Sequence, residues 1–228
     1  MEFYADKEVS AIVLINPDNP SGNYIGKEDL LRLIIWCKES GIKLILDESF
    51  VDFAETKEYE SVEDLSLIKE EILNMYEDLY VIKSISKSYG VPGFRLGILA
   101  SSNETVIARI KRDVAIWNIN SFGEFFMQVM EKYSKDYVKS LERIKHSRKI
   151  LVEGLSRISY INVFPSQANF VMCELDGKSS REICCKLLEK DILIKDLSHK
   201  IHNGKQYIRI AVRNEKDNQI LLEELMNI

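Results

Sequence analysis

One short string holds most of the reactive side chains in this sequence. SISKSYGVPGFRLG, residues 84–97, places Ser84, Ser86, Lys87 and Arg95 among Gly90, Gly93 and Gly97. Hydroxyls and a guanidinium together can hold a phosphate, the guanidinium as a two-pronged donor, and a lysine beside them can act as a nucleophile. Two more polar clusters sit at the ends of short apolar runs: Asn16 to Asn19 after Ala11–Ile15, and Asp47 with Glu48 after Ile42–Leu46. The first string itself follows the apolar run Leu79–Ile82. Strand ends of this kind are where open parallel sheets place ligands. Each residue taken alone also has an ordinary role open to it. A lysine is mostly solvated, an aspartate at a strand end can cap a loop or helix, and serines and NPDNPSG can be turn chemistry.

The elements needed to position these residues can be read from the same chain. Ala11–Ile15 reads as a buried strand that ends in a string no helix interior tolerates, NPDNPSG. After Gly26, Leu30, Leu33, Ile34 and Cys37 fall on one helical face, and Gly41 supplies a stop before the strand Ile42–Leu46. Strand, helix and strand in this order predict a βαβ unit with parallel strands. Leu79–Ile82 and Leu96–Ala100 add a third and a fourth strand, and Glu55–Asp78 reads as loop and helix. Beyond Asn103 the pattern is helical, first through Val106, Ile107 and Ile110, then as a long connecting helix from Ser121 to about Ile158. The remainder alternates: strand Asn169–Leu175, helix Ser179–Lys190, strand Tyr207–Val212 and helix Lys216–Met226, a smaller α+β unit.

Composition narrows the class of protein. The 228 residues are 46% hydrophobic and 29% charged, as in an ordinary globular chain, and amount to about one and a half domains at roughly 150 residues each. A net charge of −5 is wrong for a dedicated nucleic-acid binder. The basic stretch Lys139–Lys149 is interleaved with Leu141, Glu142 and Ile144 at helical spacing, which predicts a solvated helix face. Cys37, Cys173, Cys184 and Cys185 lack metal-ligand spacing and predict neither a zinc site nor a disulfide framework. Charged residues occupy the first positions where a signal peptide needs an apolar run, and no segment reaches the roughly 20 apolar residues of a membrane span, so a cytoplasmic location is expected.

Five strings, NPDNPSG, DESF at 47–50, SISK at 84–87, GFRLG at 93–97 and YIRIAVR at 207–213, stand in the order seen in pyridoxal-phosphate enzymes of the aspartate aminotransferase fold, fold type I. The chain most resembles the histidinol-phosphate aminotransferase and threonine-phosphate decarboxylase branch. The resemblance implies an α/β fold: a partial large domain with a mostly parallel sheet over residues 1–149, connecting helix included, and a small α+β domain over 150–228. It implies pyridoxal 5′-phosphate as cofactor. Lys87 would form the Schiff base and then shuttle a proton at the substrate α-carbon. Asp47 would pair with the protonated pyridine nitrogen, Asn19 would hydrogen-bond the ring hydroxyl oxygen, Ser84, Ser86 and Arg95 would bind the phosphate, and Arg209 would clamp the substrate carboxylate.

Phe50 stands where many aminotransferases of this fold carry a tyrosine that bonds the ring hydroxyl, and DESFVDF looks more like the decarboxylase branch. Arg213 is open to a substrate phosphate or side-chain acid and equally to a surface role. Relatives carry a long segment before the asparagine motif, with half of the phosphate cradle, whereas only 15 residues precede Asn16 here. The functions that follow are transfer of an amino group from an anionic or phosphorylated amino acid to a keto acid, decarboxylation of such an amino acid, or a non-catalytic fragment of such an enzyme. A homodimer is implied in either enzymatic case.

Overall fold

In a computed structural model, which describes residues 7–55 and 65–228, Ala11–Ile15 is strand β1. Helix α1, Lys27–Ser40, opens with Glu28 and Asp29 in its first turn, where carboxylates meet the positive end of the helix dipole. It closes at Gly41, which adopts φ 65° and returns its N–H to Lys38 O. Only glycine adopts that left-handed conformation without steric penalty. Strand β2, Lys43–Asp47, follows at once, pairs in parallel with β1, and sets Ile15 beside Asp47. The βαβ unit is therefore present as the sequence predicts.

Residues 55–78 read as loop and helix; of these, 56–64 lie outside the described residues, and among the rest Glu70–Leu73 forms a short helix, α2. Strand β3, Leu79–Ser84, runs parallel to β2 and feeds a single helical turn, α3, Ile85–Ser88. The fourth apolar run becomes β4, Gly97–Ala100, and pairs antiparallel with β3, Ser84 opposite Gly97. The sheet order is β1-β2-β3-β4, so two of its three pairings are parallel. One face is packed: Leu30, Ile34 and Cys37 of α1 bury against Leu44 and Leu46 of β2 and Leu79 and Val81 of β3. On the other face Val13 stays 66% exposed.

Helix α4, Glu104–Asp113, is capped by Asn103, whose side chain accepts from Val106 N. The stretch expected as one long helix from Ser121 to Ile158 is in fact broken. It forms α5, Ser121–Val129, a 3₁₀ turn at Met130–Tyr133, and α6, Ser134–Leu155. Nothing in this stretch is a proline, and the one glycine before the turn, Gly123, lies near the start of α5, so the change of pitch has no marker in the sequence.

The second sheet combines β5, Ile161–Val163; β6, Phe170–Leu175; β7, Lys195–Asp196; and β8, Gln206–Ala211, antiparallel throughout in the order β5-β6-β8-β7. Helices α7, Ser180–Leu188, and α8, Glu215–Met226, supply its cover. Leu151 and Leu155 of α6, Ile183 and Leu187 of α7, and Leu221, Leu222 and Leu225 of α8 pack with Val171, Cys173 and Ile208 into one buried cluster.

By contacts the chain divides into two units. One runs to Pro17 and from Tyr24 to Val138; the other comprises Asp18–Asn23 and Lys139–Ile228. The six-residue excursion Asp18–Asn23 belongs to the second unit because its backbone is tied there. Gln167 N donates to Gly22 O at 2.8 Å, and Gly22 sits so close to Ser166 that an added Cβ would fall 2.1 Å from Oγ. No helix among the described residues is long and apolar enough to cross a membrane.

Candidate functional site

In the first unit the candidate residues gather at the C-terminal ends of parallel strands β2 and β3. Asp47 is the last residue of β2, paired with Ile82, and Ser84 is the last of β3. Asp47 Oδ1 accepts from both the amide and the hydroxyl of Ser49, and Ser49 Oγ in turn accepts from Ser84 N at 2.9 Å. One serine thus stitches the two strand ends together. Asp47 Oδ2 accepts no hydrogen bond among the described residues.

Lys87 projects from α3, with Nζ 5.7 Å from the centroid of the Phe50 ring. That ring is buried and comes from the turn after β2. Lys87 has no hydrogen bond or ion pair among the described residues, and the Ser84 hydroxyl has none either. Arg95 sits in the left-handed region at φ 57°, exposed, its one hydrogen bond among the described residues a 3.4 Å contact with Pro92 O. Ser86, grouped with the phosphate donors by resemblance, is buried instead. Its hydroxyl accepts from Leu96 N at 3.2 Å and donates to Leu96 O at 3.4 Å. Ser86 therefore staples the turn bearing Lys87 to the segment bearing Arg95, and its only proton is committed to that staple.

In the second unit, Arg209 on β8 donates from Nη1 to Asn19 Oδ1, and its guanidinium lies 4.9 Å from the centroid of the Phe170 ring. Partial burial pulls the Arg209 pKa below its ordinary value, which still leaves it charged at any working pH. Asn19, with its carbonyl oxygen taken by Arg209, keeps its amide group for another partner. Arg213 is held by Asp217, Nε at 3.1 Å and Nη2 at 3.0 Å, an i,i+4 pair at the start of α8.

In DESFVDF the sequence assigns a role to Asp47 and none to its neighbour Glu48 or to Asp52, which are both 2% exposed. The Glu48 carboxylate accepts from the Ser66 hydroxyl on one oxygen and from Leu67 N at 2.9 Å on the other. Burial pushes its pKa up from the ordinary 4.5, against those two bonds and the charge of Lys83. The native state thus holds this proton more tightly than the unfolded chain. Glu48's contribution to stability is full below pH 4.5 and is lost as pH rises through the raised value. Glu48→Gln can still accept from Leu67 N and can donate to Ser66, so the variant is expected to equal or exceed the parent in stability at neutral pH. It should also lack the parent's decline between acid and neutral pH. Urea unfolding at a series of pH values checks this; parallel curves for the two proteins would contradict it.

Asp52 meets Lys83 Nζ at 2.6 Å and the Tyr137 hydroxyl at 2.8 Å. The signal that could have found it is an acid five residues after Asp47, in a motif otherwise apolar from Phe50 to Phe53. Among the described residues no group of three or more His, Cys, Asp and Glu side chains could hold a metal ion.

Residues 3–225 match the sequence profile of the family described as Aminotransferase class I and II. An L-serine phosphate decarboxylase of Campylobacter jejuni is 32% identical over 233 residues, all of this chain and 58% of its own length. Histidinol-phosphate aminotransferase 2 of Archaeoglobus fulgidus is 31% identical over 230 residues, again all of this chain and 60% of its own length. Among solved structures, the histidinol-phosphate aminotransferase from Clostridium acetobutylicum superposes with a TM-score of 0.86 at 30% identity, over 96% of this chain and 64% of that one. The chain therefore spans less than two thirds of the length of these relatives, and its fold is that of fold-type-I transferases.

Proposed function

Because the chain belongs to the class I and II aminotransferases, we propose that it binds pyridoxal 5′-phosphate and transfers the amino group of a small anionic amino acid to a keto acid, with Lys87 as its catalytic amine. The observation that supports this best is the donor set at the ends of β2 and β3. It offers one carboxylate oxygen, Asp47 Oδ2, that accepts no bond among the described residues. Beside it on two adjoining turns stand a hydroxyl, an ammonium and a guanidinium without a carboxylate partner there. That set fits a ligand carrying a protonated ring nitrogen, an aldehyde and a phosphate. When bound, the cofactor supplies an aldehyde that bonds to amines and a cationic ring that withdraws electrons from the substrate α-carbon.

Lys87 would hold the cofactor through its aldehyde carbon and, as a free amine, would move the proton at the substrate α-carbon. Asp47 Oδ2 would hold the ring nitrogen and keep it protonated. The Ser84 hydroxyl and Arg95 would hold the phosphate, and Ser86 holds the two turns in register for them. In the second unit, the roles implied by the resemblance would have Arg209 grip the substrate carboxylate with the guanidinium nitrogens not given to Asn19, and the Asn19 amide donate to the ring hydroxyl oxygen. Phe50 offers Lys87 an apolar face where a tyrosine would offer a hydroxyl. A phosphorylated substrate is favoured by the named substrates of the relatives.

Decarboxylation is a second reading, favoured by the Campylobacter jejuni relative, and it uses the same lysine and aspartate. A homodimer belongs to either reading, with support from Ile116 and Trp117, which stand 94% and 92% exposed in the first unit. A cytoplasmic location goes with both.

The test is incubation of the full chain with pyridoxal phosphate followed by borohydride. A phosphopyridoxyl group fixed at Lys87, located by peptide mass mapping, is expected. Its absence, or its even spread over surface lysines, overturns the reading. Assay of keto-acid formation against carbon dioxide release from phosphorylated amino acids then separates transfer from decarboxylation.

A further inference from the structure

We propose that Asp52 is a positioning residue that clamps the Lys87 turn from both sides, through Lys83 where the chain enters the turn and through Tyr137 and Tyr89 where it leaves. Helix α3 is a single turn of four residues, too short to hold itself, so its geometry depends on tertiary contacts. The two oxygens of Asp52 divide between the two sides. Oδ1 accepts from Lys83 Nζ at 2.6 Å, and Lys83 immediately precedes Ser84. Oδ2 accepts from the Tyr137 hydroxyl at 2.8 Å, across 85 positions of sequence.

The Tyr137 ring stacks on Tyr89, centroids 3.9 Å apart and planes within 3°, and Tyr89 lies two residues beyond Lys87. Aromatic contact continues from Tyr89 edge-on to Phe126 at 5.7 Å and from Phe126 to Phe94 at 5.4 Å. Phe94 is the neighbour of Arg95, and Asn120 Nδ2 donates to its carbonyl at 2.9 Å. One buried carboxylate is thus connected to both ends of the turn and, through the four rings of Tyr137, Tyr89, Phe126 and Phe94, to the arginine segment. Burial and the nearby Asp52 charge push the Tyr137 pKa far above its ordinary value, so the hydroxyl stays protonated and keeps donating at any working pH.

The assignment to Lys87 rests on the function proposed above, but the clamp is a property of the chain without cofactor and can be measured there. Backbone hydrogen exchange of the full chain is compared in Tyr137→Phe, which keeps the ring and removes the bond to Asp52, in Tyr89→Leu, which removes the stack, and in Tyr89→Phe, which keeps it. Amides of residues 84–96 are expected to exchange on the order of tenfold faster in the first two, the effect of losing one bond to a charged acceptor or one ring contact. Tyr89→Phe should match the parent, and β2 amides should be unchanged in all three. Unchanged exchange at 84–96 in both Tyr137→Phe and Tyr89→Leu overturns the proposal, as does equal acceleration in β2, which would mean general loosening. A pyridoxal phosphate titration separates the two claims. Where the parent takes up cofactor at Lys87, the loosened variants are expected to bind it about tenfold more weakly. Where the parent takes up none, the function fails and the exchange data alone judge the clamp.

Discussion

Replacing Lys83 with methionine is expected to destabilise the unit that carries Lys87 by about 3–5 kcal/mol, the cost of leaving one partner of a buried ion pair uncompensated. The pair qualifies as buried: the side chains of Lys83 and Asp52 are 16% and 3% exposed, and their atoms are 2.6 Å apart. Methionine matches lysine in length, so packing changes little and the lost charge dominates. Asp52 then keeps one donor, the Tyr137 hydroxyl, in place of two. Both tryptophans, Trp36 and Trp117, lie in this unit, so urea unfolding followed by tryptophan fluorescence reports on it without a signal from the other. Adding Asp52→Asn to Lys83→Met removes the stranded charge and keeps an acceptor for Tyr137. The double variant should therefore be more stable than Lys83→Met alone. A loss below about 1 kcal/mol for Lys83→Met would class the pair with surface bridges and refute the argument.

This pair also shows where the sequence stops being informative. Strands β1, β2 and β3 could be read because each is a run of apolar residues closed by turn formers, and burial on a sheet needs no more than that. The residues with reactive groups at their ends, Asp47 and Ser84 to Lys87, could be read for the same reason. Strand β4 was visible as a strand, but its direction was not, because four apolar residues carry no polarity and the pairing of Ser84 with Gly97 decides it. Strands β5 and β7, three and two residues long, have too few positions to show alternation and exist through their pairing with β6 and β8.

Side-chain partnerships were less legible still. Asp52 lies 31 residues from Lys83 and 85 from Tyr137, distances over which no local pattern operates. Ser86 is grouped with the phosphate donors by the resemblance; the sequence carries no sign that its hydroxyl bonds the backbone of Leu96, ten residues on, a partner that only the fold brings near.

Asp47→Asn is expected to weaken pyridoxal phosphate binding roughly 10- to 100-fold while leaving the fold intact, because it removes a charge without removing a bond. The two functions of Asp47 are carried by different oxygens. Oδ1 holds Ser49 by amide and hydroxyl, and through Ser49 the start of the Lys87 turn, while Oδ2 is the atom assigned to the ring nitrogen. An asparagine oriented with its carbonyl oxygen toward Ser49 preserves the first function. Its amide then points where a carboxylate is needed, and an amide N–H cannot accept from a protonated ring nitrogen. Asp47→Ala loses both functions, so it should weaken binding and also speed exchange at Ser84. Titration of cofactor absorbance for the three proteins, with exchange at Ser84 measured alongside, resolves the two roles. Asparagine binding within about twofold of the parent would place the ring nitrogen's partner elsewhere. Equal losses of binding and of Ser84 protection in both variants would make Asp47 a structural residue of the strand ends and nothing more.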